Sequence, residues 1–103
     1  MSSYAEVELE TLRWGEARQI VQNGTAMGQA IKTAEEVNEL LAAINKKDLH
    51  AVKDALGDIW VTMVMVAAIL DVNLLDCFYQ AYNEIKDRTG HLGADGIFYK
   101  DSK

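Results

Sequence analysis

Apolar residues recur along this chain at spacings of three and four, and period-two alternation is almost absent, so the pattern predicts helices throughout. Polar breaks at Asn23-Gly24-Thr25, Asn45-Lys46-Lys47-Asp48, Asp71-Val72-Asn73 and Arg88-Thr89-Gly90 cut it into four segments. The first helix is expected over residues 4–22, with Leu9, Leu12, Ile20 and Val21 set among polar positions. The second spans residues 26–46, with Thr25 as N-cap and Ile31, Val37, Leu40, Leu41 and Ile44 as its apolar stripe. Asp48 caps a third helix that extends to residue 70. Its second half, IWVTMVMVAAIL, is apolar on every side except at Thr62. A run of about a dozen such residues is shorter than the roughly 20 a bilayer requires, so it predicts a central buried helix whose residual face packs on another subunit. Asn73 caps a fourth helix reaching residue 88, with Leu74, Leu75, Phe78, Tyr82 and Ile85 turned inward. Beyond it, Gly90, Gly93 and Gly96 around Ile97-Phe98-Tyr99 predict a short tail with an ordered turn and strand. The expected fold class is an all-α bundle of four helices, residues 1–103 forming one domain.

Composition narrows the function. The 103 residues contain no proline, which permits long helices, and ten Lys and Arg stand against sixteen Asp and Glu, a formal charge of -6. Such a balance excludes a nucleic-acid groove, and a bound polyphosphate has to be met by local cations or a metal. The single cysteine, Cys77, forms no internal disulfide, and the start Met1-Ser-Ser-Tyr-Ala-Glu lacks the basic and apolar stretches of a secretory signal. The expected location is the cytoplasm, with no membrane partner. A chain this small buries only about two thirds of its unfolded surface, so a homodimer or homotetramer is expected.

Candidate chemistry lies in the acids of the second and third helices. Glu36 and Glu39 are three apart and Glu35 and Glu39 four apart, which gathers them on one side of a helix. Taken alone, that pattern describes a solvated helix face. Asp54 and Asp58 repeat the arrangement immediately before the apolar run, however, and Asp has poor helix propensity. Gly57 beside them costs about 1 kcal/mol relative to Ala in a helix interior, for which the close approach of another helix or a ligand is the natural reason. A short turn makes the two helices antiparallel neighbours, so their carboxylates can converge. An all-oxygen set of that kind requires a hard cation, Mg²⁺ or Mn²⁺ rather than Zn²⁺. A di-iron site would need paired Glu-x-x-His motifs, and neither His50 nor His91 follows a Glu at that spacing.

Lys32-Thr-Ala-Glu35-Glu36-Val-Asn-Glu39-Leu40, followed by Asp54-Ala-Leu-Gly57-Asp58-Ile59, resembles the EExxE and ExxD signature of the MazG-like, all-α nucleoside triphosphate pyrophosphohydrolases. Trp14 with Arg18-Gln-Ile20, Gln29, Tyr82-Asn83-Glu-Ile-Lys86-Asp-Arg88-Thr-Gly90 and Gly96-Ile-Phe-Tyr-Lys100 resemble the short, single-domain form found in bacteriophages and mobile elements. The resemblance covers roughly residues 10–100. One position departs from it: Ala55 stands where the family has Glu, and an acid occurs one residue earlier as Asp54.

The resemblance implies Mg²⁺-dependent hydrolysis of a nucleoside triphosphate, a deoxynucleotide or a noncanonical nucleotide, to the monophosphate and pyrophosphate, for pool control or to supply a monophosphate. Carried over by position, Glu36, Glu39 and Asp58 are metal ligands, with Asp54 as fourth carboxylate, and Mn²⁺ is expected to substitute for Mg²⁺. Glu35 either holds a second metal or deprotonates the attacking water. Lys32, Asn83, Lys86 and Arg88 meet the phosphates, although cations at a helix C-terminus are also favoured by the dipole alone. Trp14 is the candidate platform for the base, with Trp60 as a second aromatic that the buried run makes a core residue. No spacing in the sequence distinguishes one base from another. The alternative is a non-catalytic helical module that binds nucleotide or protein on the same scaffold.

Overall fold

The computed structural model describes residues 2–101. It is all-α apart from one small hairpin, in the order α1 (Tyr4–Ala17), α2 (Ile20–Asn23), α3 (Ala26–Lys46), α4 (Leu49–Ile69), α5 (Leu74–Ile85), β1 (Gly90–Leu92) and β2 (Phe98–Lys100). The helix starts follow local chemistry. Thr25, Asp48 and Asn73 each accept a backbone N–H from three residues on, and Ser3 and Glu6 complete a reciprocal capping box at α1.

The helix expected over residues 4–22 is broken. Arg18 ends α1, and Gln19 takes a left-handed conformation with φ 66° before the single turn of α2. This bend lays α2 against α4, half-burying Ile20 and Val21, while the Gln22 amide donates to the Glu16 carbonyl, which also accepts the Gln19 N–H. The fourth helix also ends earlier than expected, at Ile85, which leaves Arg88 in the following loop.

The centre of the molecule is the antiparallel pair α3 and α4. Lys47, left-handed at φ 58°, turns the chain between them, and the Asp48 N–H donates to the Ala43 carbonyl. Ala43, Ala55, Thr62, Val64, Met65 and Ala67 are buried here, so the apolar half of α4 is central as expected. Gly15 on α1 is buried against Met65, the most enclosed large side chain. The close helix approach expected at Gly57 is absent, because a Cβ added there meets nothing within 4 Å. Gly15 is the glycine that lets two helices touch.

Two apolar faces expected to be covered are open within the chain. The residues of α3 that turn towards α4 are Thr33, Glu36, Leu40 and Ala43, leaving Ile31, Val37, Leu41 and Ile44 exposed. Helix α5 leaves α4 at 106° instead of lying alongside it, so Phe78, Tyr82 and Ile85 are exposed rather than inward. Trp60 is packed between Tyr4 and Phe78. The tail forms the expected turn and strand as an antiparallel hairpin, with His91 stacked on Tyr99. Among the described residues, no single helix is long and apolar enough to cross a membrane; α4 and α5 meet that test only as a bent pair.

Candidate active site

A hydroxyl relay marks the register of α3 against α4. Thr33 donates to Thr62 Oγ1 at 2.8 Å, and Thr62 donates onward to the Ile59 carbonyl at 2.8 Å. Running the antiparallel pair down from that contact brings Glu36 opposite Asp58 and Ile59, and Glu39 opposite the turn that carries Ala55. The acids of the two helices therefore meet across the seam.

Glu36 is the residue in conflict with its surroundings. Its Oε2 is shut off from solvent and has no hydrogen-bond partner. Its carboxyl holds its proton above the ordinary value, first because it can share that proton with Glu39, then through lost solvation and the charges of Glu39 and Asp58. Lys32 acts in the opposite direction but does not cancel them. A lone buried acceptor beside two like charges favours the arrival of positive charge. Among the described residues, no three acidic, His or Cys side chains are gathered tightly enough to enclose an ion as they stand.

The other expected residues fall into three groups. Lys32 and Glu35 form an ion pair at 3.3 Å on the exposed side of α3. Asp54 points to its own helix neighbour, His50, at 3.5 Å, while Ala55 is almost fully buried in the α3–α4 seam. Asn83 on α5, Lys86 at its C-cap and Arg88 in the loop are exposed and make no ion pair or side-chain hydrogen bond among the described residues. The structure does not bring these three to the acids within one chain.

Trp14 is placed with one of the seam acids, Asp58. It lines a cavity of about 510 Å³ between α1 and α4, together with Val7, Glu10, Thr11, Val61 and the seam carboxylate Asp58. The Arg18 guanidinium lies over its ring at 4.7 Å and also donates to the Trp14 carbonyl, which holds the indole in place. Sequence reasoning passed over Glu10 and Thr11, and named Arg18 beside Trp14 without giving it a role. Val7, Glu10, Thr11 and Trp14 do recur at i, i+3, i+4 and i+7, the spacing of one helix face, and that was the available signal.

An all-α fold with opposed carboxylates on an antiparallel helix pair, flanked by an aromatic-lined cavity, defines the class of helical protein at hand. The model of the MazG nucleotide pyrophosphohydrolase domain matches residues 25–93, and the chain belongs to that family. The chain is also similar to an uncharacterized 18.2 kDa protein from the rep-hol intergenic region of Haemophilus phage HP1 (strain HP1c1), with 38% identity over 55 residues. That match takes in 53% of this chain and 34% of the phage protein, so the chain spans about a third of the relative's length. No solved structure matches the chain significantly.

Proposed function

We propose that this chain is a Mg²⁺-dependent nucleoside triphosphate pyrophosphohydrolase, releasing the monophosphate and pyrophosphate from ribo- or deoxynucleotides. The role would be pool control or supply of a monophosphate. Membership of the MazG family supports the reaction class. The observation that carries the reading on this chain's own residues is the orphaned, solvent-shielded Glu36 Oε2 beside Glu39 and Asp58.

An oxygen-only donor set of this kind fits a hard divalent cation. Glu36, Glu39 and Asp58 would hold it, and Asp54 would join them as fourth carboxylate. When bound, the cation supplies charge to the polyphosphate and lowers the pKa of the attacking water; Mn²⁺ can serve in its place. Glu35 accepts the proton of that water as its oxygen attacks the α phosphorus. The bond from the α phosphorus to the bridging oxygen breaks, and pyrophosphate leaves with the electron pair. Lys32 offers positive charge beside the acids, while Asn83, Lys86 and Arg88 meet the departing phosphates. Trp14 stacks on the base.

Because Asn83 on α5, Lys86 at its C-cap and Arg88 in the following loop stand away from the acids, the same reading includes assembly. Ile31, Leu41 and Ile44 on α3, with Phe78, Tyr82 and Ile85 on α5, are the exposed apolar surface that a second copy of the chain would cover in a dimer or a dimer of dimers. Light scattering on the purified chain tests it, and a monomer at micromolar concentration rejects it.

The deciding experiment is a panel of ribo- and deoxynucleoside triphosphates with Mg²⁺ or Mn²⁺, beside a Glu36→Ala/Glu39→Ala double variant. Monophosphate plus pyrophosphate from the native chain alone supports the enzyme. No turnover on any nucleotide leaves the non-catalytic binding module.

A further inference from the structure

The cavity beside Trp14 supplies what the sequence alone did not, a chemical basis for choosing among bases. We infer that Glu10 is the specificity-determining residue of this site and that it selects guanine nucleotides; this rests on the proposed reading of Trp14 and Asp58 as the base and phosphate ends of one nucleotide site. The argument comes from the polar groups that line the cavity. Glu10 presents a carboxylate, which only accepts when ionised. Thr11 has its one hydroxyl proton committed to the Val7 carbonyl at 2.8 Å, so only its lone pairs remain for a ligand. Asp58, the third polar group, is another carboxylate, and Val7 and Val61 complete the walls with apolar surface.

The side chains lining this cavity therefore offer acceptors for hydrogen bonds and no free donor apart from the indole N–H of Trp14. A base that fits must bring N–H groups. Guanine presents a ring N–H and an exocyclic amino group side by side, the pair that can engage both oxygens of one carboxylate with charge-assisted hydrogen bonds. Adenine and cytosine place their amino group beside a bare ring nitrogen, which would face the carboxylate unpaired. Uracil and thymine flank their single N–H with two carbonyl oxygens, which a carboxylate repels. Glu10 lies one helical turn from Trp14 on the same face of α1, so the ring that holds the base and the group that reads its edge belong to one rigid element.

Two measurements on the intact chain test this, both with Glu10→Gln alongside. Gln keeps the size and helix propensity of Glu on an exposed part of α1, and circular dichroism checks that the helices remain. Calorimetric titration with dGMP, dAMP, dCMP and dTMP, without metal, requires no turnover. The expected result is dGMP binding about tenfold or more tighter than dTMP, with the gap closing in Glu10→Gln. The second measurement is kcat/KM across the five deoxynucleoside triphosphates, including dUTP, where guanine should rank first in the parent and lose about tenfold in the variant. Equal affinities for dGMP and dTMP, a parent that prefers thymine or uracil, or an order unchanged in Glu10→Gln overturns the assignment. A chain that hydrolyses nothing yet keeps the dGMP preference through Glu10 upholds the base site and removes only the hydrolase reading.

Discussion

Thr33 and Thr62 join α3 to α4 through a 2.8 Å hydrogen bond, and in the register of that contact Glu36 stands opposite Asp58. Thr62 is buried and donates its own hydroxyl to the Ile59 carbonyl, so the relay is directional. Thr62→Val keeps the shape of the side chain and removes the acceptor. The Thr33 proton then turns to the Gln29 carbonyl, 3.0 Å away, so the loss should be about 1 kcal/mol in urea unfolding. If the relay also sets the spacing of the acids, Mg²⁺ affinity falls in the same variant, as titration calorimetry would show.

Glu36 links stability to pH. Its carboxyl retains a proton above the ordinary 4.5, so just above that pH the folded chain binds more protons than the unfolded one. Without metal, its contribution to stability is complete below 4.5 and is lost as pH rises through the elevated folded value. Glu36→Gln never ionises and should melt at a higher temperature than the parent at pH 7, the difference vanishing in acid. Mg²⁺ should raise the melting temperature of the parent and not that of the variant. Thermal melts at pH 4 and pH 7, with and without Mg²⁺, check both parts.

What could be read in advance was local. The caps Thr25, Asp48 and Asn73 follow from side chains bonding their own backbone, and α3 matches its expected bounds. The break at Gln19 was not legible, since glutamine has no preference for left-handed backbone and the packing of α2 on α4 imposes it. The apolar stripe of α3 named only part of its packing face: Leu40 turns towards α4, while Ile31, Val37, Leu41 and Ile44 are exposed within the chain. The face that packs on α4 carries Glu36, and the more apolar one is outside. The acid motifs named the seam, but the cavity joining Trp14 to Asp58 depends on how α1 crosses α4, which no spacing within α1 encodes.

Gly15 on α1 and Gly57 on α4 should respond oppositely to alanine. At Gly15 a new Cβ lies 2.7 Å from Met65 Cε, inside the best-packed part of the core, and Val21 leaves little space on the other side. Overpacking of about 1–3 kcal/mol outweighs the gain in helix propensity, so Gly15→Ala destabilises. At Gly57 there is nothing to strike, and Gly57→Ala should stabilise by about 0.5–1 kcal/mol. Chemical denaturation of both variants settles the contrast. A Gly57→Ala chain that gains stability yet loses nucleotide turnover would mark that position as touching the ligand.

The hairpin has its own pH window. Tyr99 donates its hydroxyl to Asp95, which also accepts the Ile97 N–H. This lowers the Asp95 carboxyl below its ordinary 3.8 and raises the Tyr99 phenol above its ordinary 10.0. The Asp95 contribution is present above 3.8 and lost as pH falls through its depressed value; that of Tyr99 is present below 10.0 and lost as pH rises through its elevated value. Hairpin order should therefore be level between those limits and fall outside them. Amide chemical shifts of residues 90–100 followed by NMR would show it, and Tyr99→Phe should remove the alkaline step.

Ala55 is where this chain departs from the acid pattern it otherwise carries, and its burial in the α3–α4 seam gives the departure a cost to reverse. Ala55→Glu puts a further carboxylate beside Glu39 and near the unpartnered Glu36 oxygen. Without metal, that side chain has neither solvent nor a donor, and the chain should lose at least ~2 kcal/mol of stability in urea unfolding. A divalent cation supplies the missing partner, so Mg²⁺ or Mn²⁺ should restore most of the loss and bind more tightly than to the parent, as judged by calorimetry. Loss without recovery would mean that α3 and α4 are too closely packed here for a fourth ligand, leaving Asp54, freed from His50, as the residue that fills the role.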